Sequence, residues 1–214
     1  MKKIIQFGEN MPDFTIPVLN EREIRAAAGI MFLATFISLM LILFEGNFVP
    51  IKYVITAFLI DFSIRLFVNP KFAPILVLGR LMVSNQNPEY VGAAQKKFAW
   101  YIGLILSASM FVLMTILNTY SMITGIVCLI CLILMFFETA FGICIGCKIY
   151  NAFNKGKAQY CPGEICDTKA KQEIQKTSLM QWAVVLIFIA IILLIAVLFN
   201  DIFQEKPSDF FELF

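Results

Sequence analysis

Between Met180 and Phe199 the chain carries no charged side chain, and residues 26–44, 98–117 and 123–147 are almost as apolar. Roughly 20 such residues are what a helix needs to cross the hydrocarbon core, where a segment must also satisfy its own backbone hydrogen bonds. The implied class is an all-α, polytopic membrane helical bundle. Composition agrees, because 60% of the side chains are hydrophobic, 15% are charged and the mean hydropathy is +0.82. Soluble domains of this size do not show that balance.

A further crossing is expected over residues 53–68, where Asn69 and Pro70 stop the helix. The next piece, KFAPILVLGRLMVSN, is short and is interrupted by Pro74 and Arg80. It reads as one interfacial or re-entrant helix, leaving about five transmembrane helices in all. The NTYSM turn should fold residues 98–147 into an antiparallel hairpin. Ahead of the first span, Pro12 and Pro17 make residues 4–19 an extended arm. Asn20 offers an N-cap with Glu23 completing a capping box, so a helix should begin at Glu21. MKKIIQFGENMPDF lacks the apolar centre of a secretory signal, so the N-terminus is expected to be retained.

Basic residues sort by side. Lys2, Lys3, Arg22 and Arg25 precede the first span; Lys71, Arg80, Lys96 and Lys97 lie between the second and third; Lys148, Lys155, Lys157, Lys169, Lys171 and Lys176 lie between the fourth and fifth. Only Lys52 and Lys206 fall on the other side. The positive-inside rule then places the N-terminus in the cytoplasm and the C-terminus outside. The layout is one membrane domain: a cytoplasmic arm over 1–25, a four-helix core over 26–147, a cytoplasmic cysteine loop over 148–178, and the fifth helix with an external tail over 179–214.

A net charge of +2 gives no footprint for a nucleic-acid partner, and the absence of histidine removes the commonest metal ligand and general base. Without histidine or a G-x-G-x-x-G fingerprint, a haem or dinucleotide enzyme is disfavoured. Chemistry falls to cysteines and carboxylates. Cys128 and Cys131 share a face within the fourth span and read as small apolar packing groups, with lining a path as the alternative. Cys144 and Cys147 (CIGC) sit where the span reaches a polar, basic mouth, and such surroundings favour thiolate. Gly142 and Gly146 form a GxxxG step that lets a neighbouring helix approach. In CPGEIC, Pro162 and Gly163 can turn Cys161 toward Cys166, so four thiols can converge.

Three uses compete for Cys144, Cys147, Cys161 and Cys166. A static disulfide is disfavoured in a reducing cytosol. A four-cysteine zinc knot suits the paired spacing, and zinc is then the one cofactor to consider. Redox or sulfur-transfer chemistry suits accessible thiols beside Lys148 and a glycine.

Inside the bilayer, Asp61 and Arg65 are one helical turn apart and can neutralise each other. Counting about 1.5 Å per residue, Arg65 lies roughly 20 Å and Glu138 roughly 22 Å from the outer ends of their helices. An Asp61, Arg65, Glu138 cluster is expected, serving as a polar staple or as a proton or anion site.

The stretches IPVLNEREIRAAAGI, FLIDFSIRLFVNPKFAP, PEYVGAAQKKFAW, FFETAFGICIGCKIY and YCPGEIC together resemble a family of bacterial integral membrane proteins classed as a domain of unknown function. Its CxGC motif falls on Cys144, Gly146 and Cys147, and its Cys-Pro-Gly motif on Cys161, Pro162 and Gly163. Glu164 stands where the pattern has a second glycine. The resemblance implies the bacterial inner membrane and association with thioredoxin-like proteins or sulfurtransferases. The expected function is handling of thiols or reduced sulfur at the cytoplasmic face. The alternatives are a transporter of thiosulfate or a related anion, and a non-catalytic scaffold holding zinc.

Overall fold

The computed structural model describes residues 7–12, 14–153, 174 and 176–209. Its chain opens with an extended arm in which Glu9 bridges Val18, and Val18–Asn20 (β1) pairs antiparallel with Tyr90–Gly92 (β2), Leu19 opposite Val91. Asn20 leaves the strand and caps Glu21–Glu45 (α1), its Oδ1 accepting the Arg22 backbone N–H at 3.2 Å. The expected capping box does not close, because the Glu23 carboxylate accepts from the Asn20 side chain and from Arg80 instead. Gly46, at φ 62°, ends the helix in the left-handed conformation.

Val49–Ser63 (α2) returns through the bundle and continues as a π-helical turn, Ile64–Val68. A short 3₁₀ turn, Pro70–Phe72, leads into Pro74–Met82 (α3). Ala93–Phe111 (α4) likewise ends in a π-helical turn, Val112–Ile116. Thr119–Tyr120 (β3) precedes Met122–Phe141 (α5), Ile145–Phe153 (α6), Leu179–Leu198 (α7), Asn200–Gln204 (α8) and Ser208–Asp209 (β4), which pairs parallel with β3.

Among the described residues four helices are long and apolar enough to cross a membrane: α1, α4 with its π turn, α5 and α7. The remaining expected crossing, the second, over residues 53–68, corresponds to α2 and its π turn, 15 plus 5 residues, which carry Lys52, Asp61 and Arg65, all buried. The fourth span is shorter than expected. It stops at Phe141 because Gly142 takes φ 65° and its N–H turns back to Glu138 and Phe137, so Cys144 and Cys147 belong to the next helix. The expected hairpin partners α4 and α5 do touch, but α5 packs chiefly on α1, and α4 on α2 and α6. Helix α7 stays at the edge, beside α3, with most of its apolar side chains exposed as lipid would require.

The short helix α3 is not a surface element. Ile75 and Leu76 are buried in one core with Ile24, Ala27, Met31 and Trp100, and Val77 is buried as well. Its closest approach is at Gly79, where an added Cβ would stand 2.6 Å from the Glu23 carbonyl oxygen and 2.9 Å from the Ala27 nitrogen of α1. Backbone cannot give way as a side-chain tip can. Gly79→Ala is therefore expected to destabilise the protein by about 1–3 kcal/mol in detergent unfolding. An unchanged midpoint would mean that α1 and α3 are not in contact there.

A second core, of Ile51, Ile55, Met110, Met114 and Cys128, fills the opposite half of the bundle. Beyond it Lys52 closes that end, donating to Asn118 Oδ1 at 2.7 Å and to the Glu205 carbonyl at 2.8 Å. Asn118 has φ 49°, a conformation asparagine tolerates better than most residues. The cation thereby ties α2, the α4–α5 turn and the C-terminal segment together.

Candidate functional site

At the other end of the bundle, the end of α5 and the starts of α1, α4 and α6 meet around buried charges. Lys96 lies on the face of α4 that also carries Trp100, and it is 1% exposed. Its ammonium contacts Glu138 Oε1 of α5 at 2.7 Å and Glu21 Oε2 of α1 at 2.8 Å. One lysine thus joins three helices. Beside it Arg80 of α3 pairs with Glu23 of α1 at 3.0 Å. A charge buried at this depth is tolerable only when paired and hydrogen-bonded.

The expected Asp61, Arg65, Glu138 cluster divides. Arg65 Nε and Nη2 both donate to Asp61 Oδ2 at 2.6 Å, and the other carboxylate oxygen accepts the Ile75 backbone N–H at 2.8 Å. Asp61 therefore caps the first turn of α3 while neutralising Arg65. The guanidinium is held between the Phe62 and Trp100 rings, 5.0 and 5.1 Å from their centroids. Glu138 turns instead to Lys96. Similar depth brought Arg65 and Glu138 to the wall of one cavity, but the nearer cation took the carboxylate.

That cavity, about 110 Å³, lies among α1, α2, α4 and α5. Cys128 and Cys131 line it along with Met31, Phe58 and Met110, and Arg65 and Glu138 supply its charged side chains. Cys128 is buried among apolar neighbours, the packing role its spacing suggested.

Gly142 and Gly146 do not act as one GxxxG step, because the helix breaks between them. Gly142 makes the turn, whereas Gly146 brings α6 against α4: a Cβ there would lie 2.7 Å from the Ala99 Cβ. This close approach carries the CIGC thiols to Lys96. Cys144 directly precedes α6, and its Sγ accepts the Cys147 backbone N–H at 3.3 Å, the bond an N-cap side chain makes to the third helical residue. Both cysteines are free, buried and within electrostatic reach of the Lys96 ammonium. The Cys147 side chain also hydrogen-bonds to Cys144. That bond, with burial, pushes the Cys147 thiol above the usual thiol range. The expectation that both sulfurs favour thiolate is corrected for Cys147 on that ground.

Cys161 and Cys166 lie outside the described residues, and with them the proposed convergence of four thiols. Among the described residues no group of three or more cysteine or acidic side chains could hold a metal ion. What the site presents is a dithiol on a helix's first turn, with a donor aimed at one sulfur and a cation within electrostatic reach of both. Its key residue, Lys96, entered the sequence reading only as a topology marker. The available signal was the turn spacing of Lys96, Trp100 and Gly103, which puts Lys96 but not Lys97 on the buried face.

No curated protein and no solved structure matches the chain. A family model matches residues 19–155, from the strand before α1 to just past α6, and so takes in Glu21, Asp61, Lys96, Glu138 and both CIGC thiols. On that match the chain belongs to the family described as Domain of unknown function (DUF4395).

Proposed function

We propose that the protein performs thiol–disulfide or sulfane-sulfur exchange at the cytoplasmic face of the bacterial inner membrane, with five crossings, a cytoplasmic N-terminus and an external C-terminus. The observation that carries this reading is the placement of Cys144 Sγ at the start of α6, bonded to the Cys147 N–H and close to Lys96. A helix start and a nearby cation are the surroundings in which a sulfur anion is held and reacts. Cys144 as thiolate attacks one sulfur of a substrate disulfide, a new S–S bond forms, and the other substrate sulfur leaves as a thiolate that takes a proton. Cys147 then attacks Cys144 Sγ, displaces the second substrate thiolate and passes its proton to it. The protein is left with a Cys144–Cys147 disulfide and the substrate is reduced by two electrons. A thioredoxin-like protein would reverse the cycle, and a sulfurtransferase would supply persulfide sulfur to the same thiolate.

The cavity gives the anion-transport reading less support, because Asp61 already neutralises Arg65 and the remaining lining is mostly apolar. Treating the purified protein with oxidised glutathione and mapping disulfides by mass spectrometry tests the exchange reading. A Cys144–Cys147 linkage that dithiothreitol reverses is expected. Two thiols that stay inert to oxidised glutathione and to a persulfide donor would overturn it.

A further inference from the structure

We infer that the groove bounded by the first turns of α1, the end of α3 and the end of α5 binds one acidic phospholipid. The groove has a volume of about 580 Å³. Its polar end carries Arg22, Arg25 and Glu89, and its apolar end carries Ile30, Leu33 and Met82. Glu89 pairs with Arg22 at 2.6 Å, so those two charges cancel. Arg65 pairs with Asp61 and Arg80 with Glu23, which leaves Arg25 as the one arginine with no carboxylate partner among the described residues. Among the described residues its Nη2 donates to the Thr139 carbonyl, at a long 3.4 Å, and Glu21 acts on it through space without a direct ion pair. A guanidinium with free N–H donors at the rim of a membrane bundle suits a phosphodiester, which accepts two parallel N–H bonds.

Leu33 lies two helical turns from Arg25 toward the bundle centre, roughly 12 Å along α1. Between them Gly29, where an added Cβ would stand 3.1 Å from Thr139 Oγ1, lets α5 lie close against α1, and the two helices together form the groove floor. Leu33 and Met82 are exposed at 56% and 70%, leaving an apolar track below the cation. The charge-then-hydrocarbon order is that of a glycerophospholipid, with the phosphodiester on Arg25 and an acyl chain along Ile30 and Leu33. Arg25 also lies against Gly142, where an added Cβ would be 3.2 Å from Nη1, so the headgroup would rest on the turn preceding Cys144. The inference does not depend on the exchange reaction.

Native mass spectrometry of the full chain in detergent, titrated with dioleoyl phosphatidylglycerol, dioleoyl phosphatidylcholine or inorganic phosphate, tests it. One phosphatidylglycerol is expected to be retained about fivefold more strongly than phosphatidylcholine. Arg25→Gln should remove that preference, while Arg25→Lys and the equal charge loss Lys148→Gln, outside the groove, should keep it. Equal retention of the two lipids, equal competition by inorganic phosphate, or loss of preference in Lys148→Gln would overturn the site. If Arg25→Gln does not fold, loss of the preference on filling the groove with Leu33→Trp supports the site, and its persistence overturns it.

Discussion

Cys144→Ser is expected to abolish covalent capture of a small disulfide, whereas Cys147→Ser should accumulate it. The asymmetry follows from the start of α6. The Cys147 N–H points at Cys144 Sγ, while the Cys147 proton is held by its bond to that sulfur and by burial. In the proposed exchange, attack begins at Cys144 and ends at Cys147, which resolves the intermediate. Intact-mass analysis after oxidised glutathione should show a single adduct on Cys147→Ser, mapped to Cys144, and on the order of a tenth of that signal or less on Cys144→Ser. Cys128→Ser and Cys131→Ser, whose thiols line the interior cavity, should match the unsubstituted protein. Adducts of equal yield on both α6 variants would remove the assigned order of attack.

Lys96→Met is expected to produce the largest loss of stability, about 3–5 kcal/mol, as is typical when one partner of a buried ion pair is deleted. Two carboxylates, Glu21 and Glu138, pair with this one ammonium. Methionine has nearly the length of lysine, so lost charge rather than lost volume is measured. Unfolding in mixed micelles gives the free energy. Adding Glu138→Gln should recover part of the loss, since one stranded charge is then removed. Strict additivity of the two substitutions would mean that Lys96 and Glu138 do not interact.

Much of the fold was legible because solvent acts on every residue of a crossing helix. The uncharged run of α7, the Asn20 cap and the stop at Asn69–Pro70 are local effects, and each stands where the chain's own chemistry puts it. The buried charges were legible one at a time but not as pairs. Asp61 with Arg65, one turn apart, could be matched from spacing. Glu138 could not, because helical periodicity gives the face a residue occupies but not which cation of another helix reaches it first.

Sequence alone therefore determined that this chain is a helical membrane protein and that cysteines and carboxylates, rather than histidine, are the groups it offers for any chemistry. Lipid imposes the first through backbone hydrogen bonding, and the absence of histidine imposes the second. Only the tertiary structure decided that α5 stops at Gly142, that Cys144 starts a new helix, and that Lys96 joins Glu21 to Glu138 beside the thiols. The reason is distance. A left-handed glycine and a three-helix ion network depend on which backbones come within a few ångströms of each other, and composition and periodicity do not carry that information.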